Sequence, residues 1–364
     1  MHYRVELPIS KSIANRLLIL QAIHGDELMP VSDSMPDDVQ ILHRSLCLIA
    51  SSPHSLIDVG NCGTAMRFLT AYSAQLEGQT VILDGAERMH HRPIGQLVDA
   101  LREIGADIDY LGEDGFPPLR IKGCILDKHR MVTINDPQST QFVSALLLIG
   151  ANVKTDSTSP YITLTRRLIE QYAHTSLPCR LSPIALERDW SSAAFWYEYV
   201  ALYGGEITLL GLSSNSLQGD KVVADVFAHL GVRTTYTAEG ITLSPIAYSE
   251  ASNSPLSGRP IAAQAASHSK ILAQDFGNCP DLYPAVALTC ERLGIELHAT
   301  GVESLPLKES NRLRAVAEHR TDADHRMAMA LLIAGYEVDD TACISKSYPQ
   351  FIEHFHRINT LKLQ

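Results

Sequence analysis

Apolar residues recur along this chain in two periods. YRVEL, TVILDG, GEITLLGL and GIELHAT are short apolar or alternating runs, which predicts strands. LTRRLIEQYA and VVADVFAHLG carry apolar residues at helical spacing, which predicts helices. Glycines punctuate the alternation, and strands trading places with helices point to α/β units. The least patterned stretch, Ser244–Lys270, is rich in Ser, Ala and Pro and reads as a long loop around a short strand.

A second regularity lies in how several helices begin. PISKSIANRLLIL places Ser10, Lys11 and Ser12 ahead of an apolar face of Ile13, Leu17 and Leu20. GNCGTAMRFLTAY places Asn61, Gly63 and Thr64 ahead of Ala65, Phe68, Leu69 and Tyr72. MHHRPIGQLVDAL has Arg92, then Pro93 as the expected first helical residue, before Ile94, Leu97, Val98 and Leu101. PQSTQFVSALLLIG has Ser139, Thr140 and Gln141 before Phe142, Ala145, Leu146 and Ile149. In TDADHRMAMALLIAG, Asp324 is the expected N-cap, and Met327, Ala330, Leu331 and Ala334 form the face. That last helix carries His325 and Arg326 in its first turn. A cation at the positive end of a helix dipole costs roughly 0.3–1 kcal/mol. The cost is offset if an anion binds there, because free N–H groups and the dipole both favour negative charge, and charge-assisted bonds contribute about 1.5–3 kcal/mol each. Helices of this kind repeated along one chain suggest a repeated βα architecture whose helix N-termini line a cleft for a phosphate-bearing ligand.

Composition narrows the partners. The chain has 364 residues, room for about two domains, with 45% hydrophobic and 20% charged residues. A net charge of −11 argues against nucleic acid or an anionic membrane as partner, so an anionic ligand must be met by locally gathered Lys and Arg. The seven cysteines form no CxxC pair or metal-ligand spacing and read as free thiols of a reducing compartment. With no signal-type segment and no run approaching the ~20 apolar residues of a membrane span, a cytoplasmic location is expected.

Titratable groups collect in three further segments. NCPDLYPAVAL puts Asp281 at the head of an apolar run, PLKESNRLRAV packs Lys308, Glu309 and Arg312 together, and CISKSYPQF holds Lys346 just before an expected helix. Lys308 and Arg312, four apart, share a face if the segment is helical. A carboxylate among cations can act as acid or base. Each feature alone has a plainer reading. Asp281 also suits an N-cap, Lys308–Arg312 a solvated face, Asp37 and Asp38 a loop and helix start, and His325 a loop anchor. His90 and His91 are adjacent and do not have metal-ligand spacing.

Taken together, SKSIANR, GNCGTAMRFL, RMHHRPIGQLVDALREIGA, STQFVSALLL, RDWSSAAFW, CPDLYPAVA, LKESNRL and DADHRMAMAL stand in an order that resembles the 3-phosphoshikimate 1-carboxyvinyltransferase (EPSP synthase) family of enolpyruvyl transferases, from about Pro8 to Pro349. The resemblance implies an inside-out α/β barrel of two lobes, each of three βαβαββ repeats with helix N-termini facing the interdomain cleft. One lobe would span residues 9–188, on the shikimate 3-phosphate side. The other would span 1–8 plus 189–364, on the phosphoenolpyruvate side with the catalytic carboxylates. It implies transfer of the enolpyruvyl group of phosphoenolpyruvate to the 5-hydroxyl of shikimate 3-phosphate in the shikimate pathway of aromatic amino acid biosynthesis. No metal or redox cofactor is needed, and a monomer is expected.

By the same resemblance Asp281 is the base for the acceptor hydroxyl and Glu309 the proton donor to the methylene carbon, while Lys11 touches both substrates. Ser12, Arg16, Ser139, Thr140, Gln141, Thr158, Asp281 and Lys308 would bind shikimate 3-phosphate. Gly63, Arg92, Gln141, Arg312, Arg326 and Lys346 would join Lys11 in binding phosphoenolpyruvate. Gly63 leaves room for backbone approach, which implies sensitivity to glyphosate, the family's inhibitor.

Several positions depart from the family pattern. Ile9 replaces a usual Gly at the first crossing between lobes, and Cys62 a usual Ala. Thr158 and Ser159 compete for one serine role, and Ser304 stands where some members carry a substrate-contacting Asn. The family carries a few tens of residues of strand and turn before TDADHR, where Arg314–Asp324 leaves space for almost nothing. Losing a strand there would expose the core of that unit, so the expectation is of a segment absent from the sequence as given, not of a trimmed repeat.

Three other readings are open. UDP-N-acetylglucosamine enolpyruvyl transferase shares fold and donor, but GAERMHHRPIG lacks the reactive Cys of that enzyme's loop. RNA 3′-phosphate cyclases share a related repeat, and the acidic charge disfavours them. A catalytically inactive anion-binding homologue would be expected to lose some of Lys11, Asp281, Glu309, Arg312 and Arg326, all of which are present.

Overall fold

The computed structural model describes residues 2–174, 187–246 and 271–362. Cys179 and residues 247–270, most of the stretch expected as a long loop, lie outside the described residues. The chain opens with β1 (His2–Glu6). There follow α1 (Lys11–His24), α2 (Asp37–Ser51), β2 (His54–Asp58), α3 (Gly63–Ala74), β3 (Thr80–Asp84), α4 (Gly95–Glu103), β4 (Asp107–Tyr110), β5 (Leu119–Lys122), β6 (Val132–Thr133), α5 (Thr140–Leu148), β7 (Val153–Lys154) and α6 (Pro160–His174). Next come α7 (Trp190–Tyr203), β8 (Glu206–Leu210), α8 (Val223–His229), β9 (Val232–Tyr236), β10 (Gly240–Pro245), β11 (Ile271–Asp275), α9 (Tyr283–Leu293), β12 (Glu296–Thr300), α10 (Arg312–Ala317), α11 (His325–Ala334) and α12 (Phe351–Lys362).

The chain divides into two compact units, Lys11–Ala185 and Met1–Ser10 with Leu186–Gln364. In the first, a four-stranded sheet runs β2-β3-β5-β4, with β2 parallel to β3 and the other neighbours antiparallel. In the second, the order is β1-β8-β10-β9, again one parallel pair followed by antiparallel pairs. The two sheets therefore share a topology. Each unit adds a short parallel pair, β6 with β7 around α5 and β11 with β12 around α9. Parallel neighbours need a crossover, and a helix supplies it in each short pair. Among the described residues, no helix is long and apolar enough to cross a membrane.

The expected helix faces are buried. Ala65, Phe68, Leu69 and Tyr72 of α3, Phe142, Ala145 and Leu146 of α5, and Met327, Ala330, Leu331 and Ala334 of α11 belong to the core. Periodicity nevertheless understated several helices. Every residue of α7 from Trp190 to Leu202 is buried, and α3 and α11 are nearly as enclosed. Such helices are buried on nearly every side, polar residues included, and have no solvent face to read. Pro93 is not the first residue of α4. The helix starts at Gly95, and Pro93 spends its carbonyl on the Arg67 guanidinium.

Where the chain passes between units, Ile9 pairs with Arg188 in an antiparallel bridge. The Ser10 N–H donates to the Glu187 carbonyl and the Asp189 N–H to the Pro8 carbonyl, both at 3.0 Å. Ile9 is thus held extended by a neighbouring strand of its own unit.

In the sequence as given, the connection before α11 is short. Residues 318–324 turn directly from α10 into α11, with His319, Asp322 and Ala323 at positive φ. Backbone bonds from Arg320 to Ala315 and from Asp324 to Thr321 close the turn. Leu305, Ala315, Val316 and Met327, on either side of this connection, are buried.

The interior of α7 contains one misfit. Glu198 is fully buried, and neither carboxylate oxygen has a hydrogen-bond partner among the described residues. Burial therefore pushes its proton affinity well above the ordinary value of 4.5. The folded state keeps a proton that the unfolded chain releases above that value, so stability falls as pH rises through and beyond it. Replacing Glu198 with Met should raise the melting temperature, more at pH 8 than at pH 5. The gain should be about 1–3 kcal/mol at the higher pH. Thermal unfolding at the two pH values checks this, and an equal loss at both would show that the carboxyl is bonded.

Candidate active site

In the first unit several helix N-termini meet. Lys11 is the first residue of α1, and its ammonium donates to Asp38 at the start of α2 at 2.9 Å, both side chains largely buried. Cys62, the N-cap of α3, accepts from the Ala65 N–H and donates its thiol to the Asp38 carbonyl at 3.8 Å. Gln141, in the first turn of α5, donates its side-chain amide to Thr64 in the first turn of α3 at 2.9 Å. Lys11, Asp38, Cys62, Thr64 and Gln141 thus tie the starts of α1, α2, α3 and α5 together, and each start offers free backbone N–H groups.

The Arg92 and Arg67 guanidiniums close on the start of α3. Arg92 donates to the Asn61 carbonyl at 3.4 Å, and Arg67 to the Gly63 and Pro93 carbonyls at 3.1 Å each. A Cβ built on Gly63 would lie 2.6 Å from Arg67 Nη1 and 2.7 Å from Arg92 Nη1. The expected open space beside Gly63 is therefore filled by two cations, and only glycine lets them approach the backbone so closely.

The remaining residues of this group differ in their state. Ser139 caps α5 by accepting from the Gln141 N–H, with Thr140 following as the first helical residue. Ser159 caps α6 by accepting from the Tyr161 N–H and is buried, whereas Thr158 is exposed. Ser12 is half-buried next to Lys11. Arg16 faces inward. Its guanidinium donates to Thr165 at 2.7 Å, Ser144 at 3.1 Å and the Ser12 carbonyl at 2.7 Å, over the Phe68 ring. Burial pulls its proton affinity down to about 10.

The second unit gathers the acidic candidates. Asp281 lies in a single 3₁₀ turn, Pro280–Leu282, that leads into α9, and it caps no helix with its side chain. Arg312 Nη1 donates to one of its oxygens at 2.7 Å, and Arg326 Nη2 to the other at 2.8 Å. Lys308 Nζ stands 3.6 Å from the same carboxylate. Arg312 also donates through Nε to Asp324 at 2.8 Å and through Nη2 to Glu309 at 3.2 Å. Lys346 completes the group, donating to Glu309 at 3.1 Å. Arg312 and Arg326 open α10 and α11, so the starts of α9, α10 and α11 meet around Asp281.

Lys308 and Arg312 meet at Asp281 without sharing a helix. Lys308 is extended, and α10 begins only at Arg312 after the cap Asn311. Ser304 precedes a separate 3₁₀ turn, Leu305–Leu307. Arg312 is 1% exposed, and burial alone would lower its proton affinity. Asp324, Asp281 and Glu309 outweigh that and raise it. Arg326 is equally buried, and its Nε and Nη1 have no partner among the described residues. It keeps two buried donors in reserve.

Three residues of these clusters escaped the sequence reading. Asp38 passed as a helix start, although it holds Lys11. Arg67, one helical turn after Gly63, was available from the motif GNCGTAMRFL, whose basic residue falls on the face of Gly63. Asp220 lies fully buried and accepts from the Ser191 hydroxyl. Burial first, and then the field of Asp281, push its proton affinity up to about 6 against the pull of Arg326. Nothing in NSLQGDKVV marks it. Among the described residues, no group of His, Cys, Asp and Glu is placed to hold a metal ion.

Comparison with known proteins gives a consistent picture. Residues 28–173, 180–320 and 316–355 match the family described as EPSP synthase (3-phosphoshikimate 1-carboxyvinyltransferase). The match breaks at the short turn before α11. The 3-phosphoshikimate 1-carboxyvinyltransferase of Bacteroides fragilis is 34% identical, covering 95% of this chain and 93% of its own. That alignment spans 405 positions, more than the 364 residues of this chain, so the relative carries segments that this chain lacks. The enzyme of the same name from Cellvibrio japonicus is 30% identical over 97% of this chain and 96% of its own. A solved structure of EPSP synthase from Acinetobacter baumannii superposes with a TM-score of 0.65 at 18% identity, covering 98% of this chain and 95% of that one. The mixed α/β fold is therefore that of EPSP synthase structures, and the chain belongs to the EPSP synthase (3-phosphoshikimate 1-carboxyvinyltransferase) family.

Proposed function

We propose that this protein transfers the enolpyruvyl group of phosphoenolpyruvate to the 5-hydroxyl of shikimate 3-phosphate, releasing inorganic phosphate, in the shikimate pathway. The observation that carries the reading is the Asp281 carboxylate held by two buried arginines at three helix starts, with Glu309 beside them. Family membership supplies the reaction, and the charge pattern supplies the reason it suits this chain. Both substrates are multiply anionic, and the cations that meet them are concentrated against a net charge of −11.

Phosphoenolpyruvate is assigned to Lys11, Gly63, Arg92 and Gln141 of one unit and to Arg312, Arg326 and Lys346 of the other. Shikimate 3-phosphate is assigned to Lys11, Ser12, Arg16, Ser139, Thr140, Gln141, Thr158, Asp281 and Lys308. Arg16 enters that set only by exchanging its bonds to Ser144 and the Ser12 carbonyl for bonds to the ligand. The units would be two lobes, residues 9–188 and 1–8 plus 189–364, each extending its observed sheets into βαβαββ repeats of an inside-out barrel.

The chemistry follows from the pairing. A phosphate or carboxylate that binds Arg312, Arg326 and Lys346 competes with Asp281 and Glu309 for the same donors, leaving the carboxylates free to exchange protons. Glu309 gives a proton to the methylene carbon as the 5-hydroxyl oxygen bonds to the neighbouring carbon and passes its own proton to Asp281. The resulting tetrahedral adduct loses phosphate, which leaves with the electrons of its C–O bond. The methyl group gives a proton back to Glu309, which restores the double bond. Lys11, Arg92, Arg312, Arg326 and Lys346 hold the developing negative charge on the leaving phosphate.

Mixing the protein with both substrates and measuring phosphate release tests the reading. Release with UDP-N-acetylglucosamine in place of shikimate 3-phosphate, or with no acceptor, would overturn it. Asp281→Asn should lower turnover by about a hundredfold or more, the ordinary loss for a general base, while substrate binding changes far less. Gly63→Ala should raise the KM for phosphoenolpyruvate more than it lowers turnover, because a methyl there displaces Arg67 and Arg92. Steady-state kinetics against each substrate separates the two effects.

A further inference from the structure

Arg312 has three anionic partners of unequal accessibility. Its Nη1 and Nη2 reach Asp281, 26% exposed, and Glu309, 13% exposed, whereas its Nε reaches Asp324, which is fully buried. An anion arriving from solvent can displace the first two and cannot reach the third.

Asp324 is also unable to turn away. One oxygen accepts from the Arg326 backbone N–H at 2.9 Å, which caps α11, and lies 3.4 Å from Arg312 Nη2. The other accepts from Arg312 Nε at 2.8 Å and from the Ser310 hydroxyl at 3.2 Å. Rotating the carboxylate to follow another cation would uncap the helix and strip the Ser310 hydroxyl of its buried acceptor.

We propose that Asp324 is the positioning residue of the anion site: one buried carboxylate that fixes the first turn of α11, with Arg326, and the Nε edge of Arg312, leaving the Nη edge to exchange between Asp281, Glu309 and a bound phosphate. The arrangement closes a ring, from Asp324 to Arg312, to Asp281, to Arg326, and back to Asp324 through the Arg326 backbone. When a phosphate takes the Nη edge and the two carboxylates depart, Asp324 remains as the counter-ion that keeps the buried guanidinium in place. An ordinary cap would need only one oxygen and no charge.

The inference rests on the proposed anion site, and the test separates the two. Inorganic phosphate is titrated by calorimetry into the wild-type protein and into Asp324→Asn, and the KM for each substrate is measured alongside thermal unfolding. Asparagine keeps the cap but takes a counter-ion from the buried guanidinium, so the melting temperature should fall while the folded protein remains at the assay temperature. Phosphate affinity should fall by about ten- to a hundredfold, the loss of one charge-assisted bond. The KM for phosphoenolpyruvate should rise in step, with that for shikimate 3-phosphate changing far less. Unaltered phosphate binding would reduce Asp324 to a cap and overturn the proposal.

If the asparagine variant does not fold, Arg312→Lys decides. Lysine keeps the charge but has no Nε–H edge to hold, so phosphate binding should still be lost, and retained binding overturns the proposal. If wild type binds phosphate but makes no product from the two substrates, the reaction fails and the positioning role stands on the phosphate titration alone.

Discussion

The acidic cluster of the second unit depends on burying the guanidinium of Arg312. Taking an ion of that kind out of water costs several kcal/mol even after relaxation. The cost is met only because carboxylates approach from three directions, Asp324 on one edge and Asp281 and Glu309 on the other. Their positions follow from this demand. Asp281 must leave its helix uncapped to point at Arg312, Glu309 must lie in the bend just before α10, and Asp324 must cap α11 with one oxygen while the other faces Arg312. Arg326 then needs no acidic partner of its own, because Asp281 already presents its second oxygen.

The first unit solves the same problem with different residues. Lys11 donates to one buried carboxylate, Asp38, while Arg92 and Arg67 also donate to backbone carbonyls around Gly63. Glycine at position 63 is what permits this, since any side chain would push the guanidiniums off the helix start. Both units thus place cations at helix N-termini, where the dipole opposes them. The opposition is tolerable in each because acceptors stand within hydrogen-bond distance.

The sequence showed which residues begin helices, and the structure showed which of them face each other. The apolar faces of α3, α5 and α11 were legible because burial at helical spacing is a local property. Asp38 was not, because its meaning lies in Lys11, 27 residues away and on another helix. Asp220 was hidden for the same reason, as a buried acid defined by Ser191 and by the distant fields of Asp281 and Arg326. The turn before α11 depends on positive φ at His319, Asp322 and Ala323, and three non-glycine residues in that conformation leave no mark in EHRTDAD. Glu198 shows the limit from the other side. WYEYV offers no hint that a glutamate in its middle will have no solvent face to turn to.

Pairing Arg312, Arg326 and Lys346 with carboxylates weakens anion binding there, since bonds to Asp281 and Glu309 must be exchanged for bonds to the ligand. For a reaction of this class the exchange is useful. Interactions made equally with substrate and transition state lower KM without raising turnover, and only those that strengthen along the path accelerate it. A guanidinium already bonded to a carboxylate gains little from a weakly basic donor. It gains more from the concentrated charge that builds on a phosphate as its C–O bond breaks. The carboxylates released by that exchange are the groups proposed to move protons. Under the proposed roles, the contacts that stabilise Arg312 would set the order of events, with anion binding first and proton transfer after it.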